Sequence, residues 1–157
     1  MATPFQVLGS GGINLAAKMW SPTAKVDHML PMIVFIHQYS IMGGSGLLME
    51  GMARAAASRG YTGVTFDLRG AGASGGSSTY TNFEELNDVK TIIDDVILKT
   101  NKDVVVIGSS GGAALAGAVL DYSERVKAVC TIGYTWGWWS SWIFGYGIFN
   151  FKIYLLC

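Results

Sequence analysis

Apolar runs too continuous for a half-exposed sheet punctuate this sequence. MIVFIH (32–37) and YTGVTFDL (61–68) read as strands buried on both faces, and DVVVIG (103–108) and VKAVCTIGY (126–134) as further strands. Between them lie stretches of helical character: LLMEGMARAAASRG (47–60), which stops at Gly60, TNFEELNDVKTIIDDVILKT (81–100) and GAALAGAVLDYS (112–123). In the second of these, Asn82 is placed to cap and Glu85 to complete a capping box. Phe83, Leu86, Val89, Ile93, Val96 and Ile97 form one apolar stripe. Strands that alternate with helices argue an α/β domain with a mainly parallel sheet. Ahead of them, FQVLGS (5–10) and INLAAKMWSP (13–22) alternate apolar and polar residues around a glycine turn, as a hairpin at a sheet edge does.

The totals narrow the function classes. A length of 157 residues suits one domain. Lys+Arg and Asp+Glu both number 11, so no electrostatic pull toward nucleic acid or an anionic membrane is expected. Charged residues are 14% of the chain, well under the usual ~25%, which implies a large core and a sparsely charged surface. Cys130 and Cys157 make neither a disulfide framework nor a CxxC pair, and the start MATPFQVLGSGG has no leader-like apolar core. A reducing, cytoplasmic location is the expectation. Two histidines and two cysteines, scattered, suggest no metal site, and no cofactor is expected.

The chemistry is concentrated in VVVIGSSGGAALAG (104–117). A strand runs into Gly108-Ser109-Ser110-Gly111-Gly112, and a helix of small residues follows. Parallel sheets bind ligands at the carboxyl ends of their strands, where this turn falls. The pentapeptide fits G-x-S-x-G with Ser110 at the apex. A nucleophile there needs a sharp, strained turn, so its neighbours must lack bulk. Gly108 and Gly112 give that room, and the N–H of Gly111, at the start of the helix, is placed to stabilise an oxyanion. A plain glycine-rich turn with incidental serines is the alternative.

Two further stretches bear on that choice. One is His37-Gln38-Tyr39, followed by a glycine-rich loop. The other is Asp67-x-Arg69-Gly70-x-Gly72-x-Ser74 at the end of the next strand. With the serine turn, in this order, they resemble the α/β-hydrolase superfamily, closest to serine hydrolases of the esterase and serine-aminopeptidase-like kind. The resemblance covers about residues 5–143. It implies a doubly wound, mainly parallel sheet, truncated after about six strands, with Ser110 as nucleophile and Gly111 and Tyr39 as oxyanion N–H donors. Gln38, which stands where many members have glycine, is the alternative donor. The resemblance gives His37, Asp67 and Arg69 structural roles near the site. The implied substrate is a small acyl compound.

Other readings are weaker. Gly70-x-Gly72-x-x-Gly75 matches a dinucleotide fingerprint, but SSTYTN separates it from the helix it would have to open. In the superfamily the acid and histidine follow Ser110, yet no histidine follows it here; His28 and His37 both precede it. The expectation is therefore an α/β-hydrolase-like domain over 1–144 with an atypical apolar tail at 145–157. This 157-residue chain is expected to be inactive, or a non-catalytic truncated isoform that binds substrate or partner without turnover. Residues 136–157 are long enough to span a membrane, but Ser140, Ser141, Asn150 and Lys152 interrupt them. The last strand, 126–134, is expected to be an exposed edge through which the chain self-associates.

Overall fold

A computed structural model describes residues 1–23, 29–38, 44–79 and 81–133. Six strands form one sheet: β1 (Ala2–Leu8), β2 (Asn14–Trp20), β3 (Met32–Ile36), β4 (Gly63–Phe66), β5 (Val104–Ser109) and β6 (Val126–Ile132). Their spatial order is β1-β2-β4-β3-β5-β6. The β1–β2 hairpin is antiparallel throughout, and β2 joins β4 antiparallel. β4, β3, β5 and β6 are mutually parallel. The hairpin thus lies at the edge, and the apolar runs form the parallel centre. All five residues of β3 are buried, because helices cover both of its faces.

One face packs under α2 (Phe83–Thr100) and α3 (Gly111–Gly117). There Val34, Ile36, Val64 and Phe66 meet Val89, Ile92, Ile93, Leu115 and Val119. The other face packs under α1 (Glu50–Ser58), where Ile33, Phe35 and Trp20 meet Met49 and Ala53. Each strand-to-helix connection crosses to bury one helix face, which is how a parallel sheet acquires two covered sides.

Four local expectations change. The helix assigned to 47–60 opens as a 3₁₀ turn, Gly46–Met49, and becomes α-helical at Glu50. The helix after the serine turn ends at Gly117; beyond it, Leu120 and Tyr122 donate to carbonyls three residues back, so tight turns replace the α-helix. The capping box does not form. Asn82 adopts a left-handed conformation and makes no side-chain cap, and Glu85 instead accepts hydrogen bonds from Ser78 and Thr79. Phe83 leaves the apolar stripe for solvent and Ile92 joins it.

The loop after β4 is anchored by a buried ion pair. Arg69 Nε and Nη2 donate to the two carboxylate oxygens of Asp88, both at 2.7 Å. Its Nη2 also donates to Ser10 Oγ, and its Nη1 lies 3.1 Å from Glu84. Burial pushes the Asp88 carboxyl above its ordinary value, while the guanidinium bonds favour the carboxylate and hold Arg69 above its own. Fork-to-fork geometry of this kind is that of an ionised pair. Removing one partner strands the other: Asp88→Ala is expected to lower unfolding free energy by about 3–5 kcal/mol. Lys18→Ala, which removes a half-exposed cation from Glu50 but leaves Arg54 3.8 Å from that carboxylate, is expected to cost less than about 1 kcal/mol. Parallel denaturant titrations of the two variants check the contrast.

Candidate active site

The serine turn is a strained joint between β5 and α3. Ser110 has φ 52° and ψ −116°, a left-handed backbone that a residue with a side chain adopts at a cost of order 1–3 kcal/mol. Ser109 ends β5 in extended conformation, so Ser110 alone occupies the apex, where it is exposed. Two bonds hold it there: Ser110 N–H donates to Ile132 O at the end of β6, and Ser110 O accepts from Ala113 N–H. Gly111 and Gly112 open α3, at positions whose N–H groups have no intrahelical acceptor.

The flanking glycines are demanded by contact. A Cβ on Gly108 would lie 2.2 Å from Gly112 O and 2.7 Å from Ala116 Cβ. A Cβ on Gly112 would lie 2.5 Å from His37 O and 2.6 Å from Ile36 O. The two glycines of the motif therefore let α3 settle onto β5 and onto the end of β3, against the main chain of Ile36 and His37. Ala113 and Ala116 continue the small face.

His37 is fully buried, and both ring nitrogens are engaged. Leu68 N–H donates to its Nε2 at 3.1 Å, so Nδ1 carries the proton and donates to Gln38 O at 2.7 Å. The ring ties the ends of β3 and β4 together in the neutral state. Burial lowers its pKa, with the Gln38 carbonyl and the Asp67 charge acting in the opposite sense.

Asp67 bridges two loops. Its Oδ1 accepts from Gly46 N–H and its Oδ2 from Ala73 N–H. Gly72 lies so close that a Cβ there would sit 2.1 Å from that carboxylate. Ser74 Oγ donates to Asp67 O and accepts from Ala16 N–H, which stitches the turn to β2. The structure thus brings Ser110, Gly111 and His37 to the carboxyl ends of β3 and β5, with Asp67 and Arg69 anchoring the loop behind them. Gln38 is exposed at the end of β3, and Tyr39 lies outside the described residues. Ser10, Glu84 and Asp88, which complete the Arg69 cluster, have no motif in the sequence to announce them. Among the described residues no acidic or thiol cluster suited to a metal ion occurs, and no helix is long and apolar enough to cross a membrane. Residues 134–157, where the last strand's final residue and the apolar tail fall, lie outside the described residues.

The sequence profile of the X-Pro dipeptidyl-peptidase (S15) family matches residues 11–156. The chain belongs to that family. Solved structures agree on the fold. A lidless α/β serine hydrolase from Xanthomonas campestris superposes with a TM-score of 0.73 at 22% identity, over 83% of this chain and 60% of that one. An α/β serine hydrolase homologue from Coxiella burnetii gives 0.70 at 21%, over 82% and 61%. An esterase from Pyrococcus furiosus gives 0.67 at 19%, over 82% and 50%. This S15-family chain therefore has the α/β-hydrolase fold and spans about 60% of the Xanthomonas and Coxiella chains. No curated protein sequence matches it.

Two outcomes follow from the geometry. Gly112→Ala is expected to destabilise by about 3 kcal/mol, because carbonyl oxygens of β3 occupy the space a methyl needs. Gly51→Ala, on the open side of α1, is expected to stabilise by roughly 0.5–1 kcal/mol. Thermal melts of the pair test this. The second outcome concerns acid. His37 binds its proton less readily folded than unfolded, so stability is full above the usual histidine value of 6.5 and falls as pH drops from there toward the lowered folded pKa. Unfolding free energies measured from pH 7.5 to 5 should show that slope in the parent chain. They should show less of it in His37→Gln.

Proposed function

We propose that this site belongs to a serine hydrolase in which Ser110 attacks the carbonyl carbon of an ester, thioester or small amide. The observation that carries the reading is the strained Ser110 apex between Gly108 and Gly112, above the first turn of α3. Attack forms the Ser110 Oγ–carbon bond, gives the hydroxyl proton to a general base and moves the carbonyl π electrons onto oxygen; collapse breaks the bond to the leaving group, which departs with that proton. The Gly111 N–H would hold that oxyanion. By the resemblance to the α/β-hydrolase superfamily, the second donor would be the Tyr39 N–H, with that of Gln38 as the alternative. Within the S15 family, the peptide bond after an X-Pro pair is the small amide to try first.

His37 is a poor general base, since both of its nitrogens already hold backbone groups. No histidine follows Ser110 in this sequence. With His37 so engaged, a second reading is that the chain binds an acyl substrate without turning it over. A fluorophosphonate probe together with a p-nitrophenyl ester and an X-Pro p-nitroanilide separates the readings. Probe labelling is expected at Ser110, retained in Ser109→Ala and lost in Ser110→Ala, with no turnover above background. Labelling that survives Ser110→Ala would sink the nucleophile assignment. Turnover lost in Ser110→Ala would instead show that this chain is an active enzyme.

A further inference from the structure

We infer that Pro4 closes the outer edge of β1 to strand pairing with a second copy of this chain. The inference rests on the register of the hairpin and is independent of the catalytic reading. Among the described residues, β1 pairs only with β2, so its other side is a sheet edge. Met1 and Ser21 exchange both main-chain bonds, and Gly9 N–H donates to Ile13 O at the opposite end. Main-chain bonding alternates along an antiparallel ladder. Odd residues of β1 therefore bond β2, and Ala2, Pro4, Gln6 and Leu8 present their main chains outward. The same parity appears on β2, where Ala16, opposite Gln6, bonds away from β1 to Ser74 Oγ and Asp67 N–H.

A sticky edge is ordinarily blunted by charge, a bulge, shortness or proline. Ala2–Leu8 carries no charged residue, its seven-residue register with β2 is unbroken, and all its outward-facing residues are exposed. Proline is the one such device present in the strand, and it sits at an outward position near the middle. Two copies related by a two-fold axis through Phe5 would pair Pro4 of each with Gln6 of the other. Each copy then loses the bond that residue 4 would donate, and each ring Cδ stands where that hydrogen would be. At position 3 or 5 a proline would instead have broken the hairpin itself. Its placement leaves the intramolecular ladder whole and disables only the intermolecular one.

Amide hydrogen exchange combined with sedimentation over a range of concentrations tests this. In the parent chain the Gln6 and Leu8 amides should exchange rapidly at every concentration, whatever other surfaces do. In Pro4→Thr, both amides should gain at least tenfold protection as concentration rises, in step with a dimer. Pro4→Lys, which restores the donor but adds charge, should associate less than Pro4→Thr. A matched melting temperature confirms that each variant is folded. Two results overturn the inference: Gln6 and Leu8 amides in Pro4→Thr that exchange as fast as in the parent at the highest concentration, or protected amides in the parent chain itself.

Discussion

The closeness of α3 to the sheet is the constraint on which the site depends. Gly112 rests on the carbonyl oxygens of Ile36 and His37, and Gly108 rests on Gly112. A helix that begins this near its own strand leaves a single residue in which to reverse direction, and that residue, Ser110, takes the strain. The strain persists because both sides of it are held, by Ile132 O and by the first turn of α3. The apical placement of the serine and the close packing of the helix are thus one geometric fact.

Around that joint, main-chain groups at the carboxyl ends of β3 and β4 must find partners once the ladder stops. Side chains supply several of them. His37 takes Leu68 N–H and gives to Gln38 O; Asp67 takes the N–H groups of Gly46 and Ala73. These bonds fix where the loops leave the sheet. They explain why His37 and Asp67, at the carboxyl ends of β3 and β4, serve as fasteners of main chain, though their residue types would suit a relay.

Much of this was legible in the sequence. The parallel centre was readable from runs such as 32–37, because burial on both faces removes alternation. The sharp serine turn was readable because its glycines answer a steric demand that no other residue meets. The capping box was misread at Asn82 and Glu85. Sequence spacing could not reveal that the preceding loop returns to α2 and offers Ser78 and Thr79 to Glu85. Asp88 was passed over for a related reason. It lies on the apolar face of α2, where a buried acid makes sense only with Arg69 in view, 19 residues away in the chain. Local patterns were visible in the sequence; partnerships across loops were not.

The cluster of Ser10, Arg69, Glu84 and Asp88 also bears on the order of folding. The β1–β2 hairpin closes over a short loop and can form early. Its 3₁₀ turn at Ser10–Gly12, however, reaches its final bonding only when Arg69 and Glu84 arrive from residues 59 and 74 positions further on. Closing such separations costs entropy before any contact repays it. The ion cluster therefore fastens the hairpin turn to α2 beside the apolar core in which Val7 and Leu15 already share one cluster with Val89 and Ile92, a tie made only once distant segments of the chain have met.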